Sequence, residues 1–315
     1  MLSFVLRRLA ELVLTLLLVS IASFSLVRFV PGDPVDIMYG VEGADPATRA
    51  AMSSKLGLDQ PVWVQYARWV GRALVADFGF SYRAGVSVSR LMTDRLPPTL
   101  ALVAASLVLS VALGVPLGVV AAVRRESLTD LGVMGAALVS LSIPPFALGI
   151  LLILVFALHF HVLPTMGYPR ADAGPLEAVR YLTLPAVTLA AANLGVVVRL
   201  TRSAMLEVLG LDFIRTAHAK GLGEHAVVYG HALRNALLPV VTLIGLQLSY
   251  LIGGTVIVEA VFAWPVLGGL IVDAILGRDY PVVQATVLLV AVMVVLVSLA
   301  VDIAYSVLDP RVRLA

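Results

Sequence analysis

Cysteine is absent from this chain, which removes disulfide bonds and thiolate metal sites and leaves the redox compartment undetermined. Charge is scarce as well. Asp, Glu, Lys and Arg make up 13% of the 315 residues, where a soluble domain carries about 25%. Lysine is nearly missing: Lys55 and Lys220 are followed by Leu56 and Gly221, so neither has the Ser or Thr that a phosphate-cradling P-loop requires. The chain cannot hold ATP in that way, and any energy it uses must come from another polypeptide. A net charge of +2 gives no electrostatic support for nucleic-acid binding. No HExxH, GxSxG or GxSG run occurs, which argues against an intramembrane protease. His159 and His161 alternate without nearby carboxylates and read as interfacial residues. No catalytic group, metal site or bound cofactor is expected on this chain.

Apolar residues are abundant. They make up 60% of the sequence, mean hydropathy is +1.00, and they fall in blocks near the roughly 20 residues that cross a bilayer. Six spans are expected, at about 9–30, 99–123, 131–158, 184–205, 236–260 and 283–307, each helical because lipid cannot satisfy free backbone groups. The first run is too long for a signal-peptide core and reads as a retained helix. Arg7, Arg8, Arg124, Arg125, Arg199, Arg202, Arg215, Lys220, Arg234, Arg311 and Arg313 fall on one side. The short loops opposite carry Arg170, Arg180 and Arg278, so both termini are expected in the cytoplasm. The long 31–98 segment is discounted, because loops beyond about 60 residues translocate largely regardless of charge. The expected fold is all-α: a polytopic membrane protein with six transmembrane helices and a long external segment after the first. Its parts are 1–30 (tail and first helix), 31–98 (external segment), 99–307 (five-helix core) and 308–315 (cytoplasmic tail). An ion-coupled secondary transporter is the distant alternative, but neither inverted repeats nor a buried titratable relay is found.

Within the external segment, Asp45-Pro46 suits a helix start, and Gly57 followed by Asp59-Gln60-Pro61 suits a stop and restart. Val62, Tyr66, Trp69 and Ala73 then share one helical face. This stretch reads either as a cap on the membrane surface with Trp63 and Trp69 at the headgroups, or as a docking element for a soluble partner. Trp63, Tyr66 and Trp69, with Trp264 and Asp279 from the loop before the last span, are the candidate external docking residues.

The polar insert 206–235 has helix start and stop chemistry of its own. Asp212 is expected as an N-cap, with Phe213, Ile214 and Ala217 as an apolar face and Gly221 as a C′ glycine. A second short helix is expected over Glu224 to Leu233, using Val227, Val228 and Leu233 as contacts. Asn235 would then cap the next span, with Pro239 tolerated near its first turn. Such an element can pass a push from a cytoplasmic partner into two spans at once.

Arg215-Thr216-Ala217, three residues and then Gly221 resembles the EAA loop of ABC importer permeases. HALRNALLPVVT (231–242) resembles the dipeptide/oligopeptide/nickel branch, as do VRFVPGDPV (27–35), LGLDQPVWVQY (56–66), DFGFSY (77–82), the long run 259–285 and LDPRVR (308–313). Arg215, Thr216 and Arg234 depart from the general motif in ways usual for that branch. Val266 and Gly269 stand where the branch usually has Gly and Arg.

The resemblance implies inward transport of di- or oligopeptides, or of nickel complexes or glutathione, across a bacterial plasma membrane. It also implies partners: a second, homologous permease, two cytoplasmic ATPases that use ATP and Mg²⁺, and an external solute-binding protein. A cytoplasmic coupling helix between spans four and five is expected, with Arg215, Thr216, Ala217, Gly221, Leu222, Gly223, Glu224, His231 and Leu233 as the ATPase-coupling residues. Asn193, Gln247, Tyr250 and Glu259 are candidates for the substrate path or gate; for Asn193 and Gln247, hydrogen bonding between helices is an equal reading. Gly114-Val115-Pro116 and Ser142-Ile143-Pro144-Pro145 are candidate kinks, where Ser140 and Ser142 are placed to satisfy freed carbonyls. Uptake should therefore follow internal ATP and persist when ion gradients are collapsed. Uptake that tracks the gradients instead would favour the secondary-transporter reading.

Overall fold

A computed structural model describes residues 2–29, 45–57, 59–81, 83–169, 172–254 and 256–308. Most of VRFVPGDPV, Arg170, and the tail beyond residue 308 with Arg311 and Arg313 lie outside the described residues. In chain order the helices are α1 (Leu2–Phe29), α2 (Pro46–Leu56), α3 (Val62–Ala73), α4 (Val88–Val123), α5 (Leu128–Ser142), α6 (Pro145–Leu152), α7 (Pro175–Leu209), α8 (Asp212–Ala219), α9 (Leu233–Gly254), α10 (Val256–Phe262), α11 (Leu267–Leu276) and α12 (Tyr280–Leu308). π-helical turns extend α6 over Ile153–His159 and precede α9 over Ala226–Ala232. The chain divides into two compact units, one of residues 98–265 with the chain from 296 on, the other of residues 2–97 with 266–295.

In the second of these units the local signals hold. Asp45 caps α2, its Oδ1 accepting the Thr48 N–H at 2.8 Å, and that backbone bond holds the carboxyl below its ordinary pKa. Gly57 ends α2 at φ +68, a conformation that costs glycine nothing. On α3, Tyr66 and Trp69 pack on Phe24 of α1, with ring centroids 5.2 and 5.8 Å away, and the Tyr66 hydroxyl meets Ser20 Oγ at 2.7 Å. Trp63 is 73% exposed. The two tryptophans expected together at the headgroups thus face different surroundings, because the apolar stripe through Tyr66 and Trp69 turns Trp63 away from α1. An antiparallel hairpin of Phe80–Ser81 with Val86–Ser87 is the one departure from all-α structure among the described residues.

Among the described residues four helices are long and apolar enough to cross a membrane: Val88–Val123, Pro175–Leu209, Ala226–Ile252 and Tyr280–Ile303. Counting the bent pair α5–α6 as one span gives five, and Ala10–Ser25 of α1 is a shorter apolar helix. Of the two expected kinks, the one at Pro144-Pro145 is a sharp corner. Helix α4 runs unbroken through Gly114-Val115-Pro116. Between α5 and α6 the axis turns by 101°. Ser140 and Ser142 donate to the carbonyls of Ala137 and Leu138, one turn before the break. The carbonyls that Pro144 and Pro145 would leave open, four residues back, are those of Ser140 and Leu141.

Helices in the first unit meet at glycines, as apolar bundles do when backbones approach closely. A Cβ on Gly195 of α7 would lie 2.6 Å from the Ala137 carbonyl and from Ser140 Oγ of α5. A Cβ on Gly118 of α4 would lie 2.6 Å from Thr201 Cβ of α7. Gly132, on α5, has nothing within 4 Å. Gly195→Ala should therefore lower the thermal midpoint of the detergent-solubilised protein, consistent with an overpacking cost of about 1–3 kcal/mol. Gly132→Ala should leave it unchanged or raise it, by up to about 1 kcal/mol of helix propensity. Equal midpoints for the two variants would remove the close-packing argument.

Candidate functional site

Helix α8 stands alone between two long helices, and its sequence explains how it is held. Ile214 and Ala217, one turn apart, are buried, while Phe213, Arg215, Thr216 and His218 are exposed. The buried pair joins Val119 and Ala122 of α4, Ala204 and Met205 of α7, Val227, Val228 and Ala232 of the π-helical turn, and Ala236 of α9 in one apolar cluster. Leu233 packs against its edge.

The ends of α8 differ in how they are finished. Leu211, not Asp212, takes the extended N-cap conformation, at φ −78 and ψ 150, with no side-chain cap. Asp212 is the first helical residue, where a carboxylate favours the positive end of the helix dipole, and it pairs with Arg215 at 3.0 Å. At the other end the expected glycine stop is complete. Gly221, at φ +78, donates its N–H to His218 O, and Leu222 donates to Ala217 O, the two bonds of a Schellman motif.

The separate helix expected over Glu224 to Leu233 does not form, and Asn235 is not a cap. Helix runs on from Glu224 through the π-helical turn into α9, and Asn235 Nδ2 donates to His231 O at 2.8 Å from within it. The reason is a buried stripe, Val228, Ala232, Ala236 and Val240, whose four-residue steps carry one helical face straight through the junction. Of the nine coupling candidates, Arg215, Thr216, Gly221, Leu222, Gly223, Glu224 and His231 are exposed, Ala217 is buried and Leu233 half-buried. The ring of His218 approaches the Glu224 carboxylate at 3.9 Å.

The four path candidates separate. Asn193 and Gln247 are buried, at 9% and 7% exposure. Gln247 Nε2 of α9 donates to the Asn193 carbonyl of α7 at 3.3 Å, which favours the helix-to-helix reading for Gln247, while Asn193 Nδ2 donates to Leu189 O within its own helix. Tyr250 is 70% exposed, and Glu259 only 3%. Among the docking candidates, Trp264 is buried: its indole N–H donates to Pro98 O at 3.1 Å, and its ring meets Tyr168 edge-on. It anchors its own turn, with 5% of its surface exposed. Asp279 accepts from Ser81 Oγ at 2.5 Å.

One polar pair went unread in the sequence. Asp130 takes both Nε and Nη2 of Arg202. The run Ser127-x-x-Asp130 before an apolar stretch is a capping-box pattern and gives away the carboxylate. Its partner 72 residues on leaves no local mark.

Known proteins resemble this chain along its whole length. Residues 114–314 match the family described as binding-protein-dependent transport system inner membrane component, and residues 1–103 match its N-terminal counterpart. The dipeptide transport system permease protein DppB of Escherichia coli is 42% identical over 336 aligned residues, covering 99% of each chain. The di/tripeptide transport system permease protein DppB of Pseudomonas aeruginosa is also 42% identical with 99% of each covered, as is a putative peptide transport system permease protein of Brucella abortus. Among solved structures, an inward-facing conformation of the MetNI methionine ABC transporter aligns with a TM-score of 0.57 at 22% identity. That match covers 70% of this chain and 96% of the other, and the likeness is one of fold.

Replacing Ile214 by Ala removes the larger of the two contacts that seat α8. Such core truncations cost about 2–5 kcal/mol. Hydrogen exchange should then show lost protection at amides 216–222, with α7 unaffected. Unchanged protection there would mean that something other than this cluster holds α8.

Proposed function

This chain belongs to the binding-protein-dependent transport system inner membrane components, and from that membership we propose that it forms half of the pathway by which an ABC importer takes di- or oligopeptides into a bacterial cell. The observation that carries the reading is 42% identity across 99% of both chains with permeases named for dipeptide and di/tripeptide transport. Those names favour peptides over the nickel complexes or glutathione that related permeases carry.

On this reading the chain crosses the plasma membrane six times, with α1 as the first span, the bent α5–α6 pair as the third, and both termini in the cytoplasm. A second, homologous permease completes the pathway. Two ATPase subunits bind ATP and Mg²⁺ at the inner face, and a solute-binding protein delivers the peptide outside. Trp63, exposed on α3, belongs to the surface offered to that protein. Tyr250, the exposed member of the path candidates, is the one placed to meet cargo or the partner permease.

Coupling is assigned to α8 and the turn after it. This changes which segment acts as the lever: Glu224 to Leu233 is the root of a long helix, while α8 is a separate element seated by Ile214 and Ala217 with a polar face left open. The sockets of the ATPase pair would take Arg215, Thr216 and the Gly221 to Glu224 turn. Closure of the pair on ATP would move α8 and bias the permease between outward and inward access, a two-state element governed by a partner's nucleotide state.

Single cysteines at Arg215, Leu222 and Glu224, introduced into a chain that has none, should crosslink to the ATPase subunits in the assembled importer. Gly221→Val places a β-branched residue in a left-handed conformation that costs it roughly 1–2 kcal/mol or more. It should depress peptide uptake several-fold while membrane insertion is kept. Gly230→Ala, where a Cβ meets nothing within 4 Å and which lies outside the assigned contact, serves as the control. Normal uptake by Gly221→Val, or crosslinks that never reach an ATPase, would sink the assignment.

A further inference from the structure

Asp130 opens α5 and is 5% exposed. Its two oxygens take the Arg202 guanidinium as a fork, Nε to Oδ1 at 2.6 Å and Nη2 to Oδ2 at 2.7 Å. Oδ2 also accepts the Glu126 N–H at 3.0 Å, and the Asp130 N–H donates to Ser127 Oγ at 3.2 Å. A single carboxylate thus ties together the turn after α4, the first turn of α5 and the last third of α7. Arg202 precedes the end of α7 at Leu209 by about 10 Å of helix, at roughly 1.5 Å per residue, and α8 begins just beyond.

An ion pair with one buried and one half-buried partner is a poor source of stability. Desolvation offsets most of the attraction, and apolar side chains of similar volume hold helices together as well or better. A bidentate fork supplies register instead. Two short parallel hydrogen bonds weaken steeply with small displacements or rotations, whereas apolar side chains keep contact as they slide. Close backbone approach acts alongside it. Gly118 meets Thr201 and the Val198 carbonyl, and Gly195 meets the Ala137 carbonyl and Ser140, so little yielding side chain lies between α4, α5 and α7 there.

We propose that Asp130 and Arg202 are positioning residues for coupling, locking α4, α5 and α7 into one rigid block so that a displacement of α8 reaches α5 without slip. The proposal rests on the reading of α8 as the ATPase contact. Neither residue touches nucleotide or cargo. Their task is to fix how far the push travels.

The test uses the whole importer in vesicles, with its partner permease, ATPases and binding protein, and reads ATP hydrolysed per peptide taken up. Exchanging the pair for an apolar one, Asp130→Leu with Arg202→Met, should keep assembly and hydrolysis. It should raise ATP per peptide by about tenfold, within the usual range of coupling between sites. Arg202→Lys keeps the charge but loses the fork and should fall between that variant and the parent. A parental ratio in both variants would overturn the proposal. If the apolar pair fails to assemble, a measurement with the ion pair intact decides. Spin labels on Leu131→Cys and Glu207→Cys should keep the same separation in nucleotide-free and ATP-trapped importer. A change of about 5 Å, one helical turn, would mean that α5 and α7 slide past each other, and the proposal falls. Labels that hold their distance in an importer whose uptake ignores ATP would instead count against the α8 reading and leave the rigid block standing.

Discussion

An eight-residue helix has no stability of its own in water, where even favourable sequences need about 12–15 residues. Helix α8 has eight. Its existence therefore depends on the contacts of Ile214 and Ala217 with the cluster formed by the ends of α4, α7 and α9. The shape of this surface follows from that constraint. The helix cannot be displaced independently of the cluster without losing the burial that keeps it folded. Its polar residues are left facing outward because only two of its side chains are needed inside. The Schellman turn at Gly221 then ends the helix, and helix resumes at Glu224, so that the entry and exit of the element both lead into long helices.

Polar groups inside a chain with 13% charged residues are few enough to be weighed one at a time. Asn193 and Gln247 spend their amides on α7 carbonyls, and Gln247 Oε1 is left buried without a hydrogen-bond partner. An unmatched acceptor in an apolar interior costs free energy, so this junction of α7 and α9 is held by packing, with the Gln247 amide adding specificity. Asp130 is the opposite case. Both of its oxygens are satisfied and its backbone N–H is bonded too. The fully satisfied site is the one suited to transmit displacement, because any movement breaks several bonds together.

What could be read from sequence was chemistry that acts within a few residues. The Asp45 cap and the Gly57 and Gly221 stops are all local, and each is where the sequence places it. Longer-range decisions were not legible. Asp212 looked like a cap because its residue type suits one, but the turn out of α7 gave that conformation to Leu211. Asn235 and Pro239 looked like a helix start, and a buried stripe spanning both sides of them kept the helix whole. Trp264 looked like a surface aromatic beside a Trp-Pro turn. Its indole instead reaches Pro98, 166 residues earlier in the chain, a pairing no local pattern records. The candidate segment was legible as a helix with its own stop but not as a shape: 212–219 forms the separate short helix, while 224–233, expected as a second one, is continuous with α9.

The prolines make the same point from a different direction. Pro97-Pro98 lies inside α4, which stays continuous, and Pro144-Pro145 marks a 101° break. The dipeptide is the same, so it cannot by itself decide between a helix and a corner. At the break, Ile143 and Pro144 both take extended ψ values of 122 and 135, the conformation a following proline favours. The chain beyond the corner is then received by a tertiary contact. A Cβ on Gly149 of α6 would lie 3.0 Å from the Phe262 ring of α10 and 3.5 Å from Thr188 of α7, so α6 is seated against two other helices at a residue with no side chain to spare. Proline permits the corner, and the glycine contact with α10 and α7 determines the direction taken after it. A reading that treats each proline as a hinge would therefore assign motion to a place where close packing leaves little room for it.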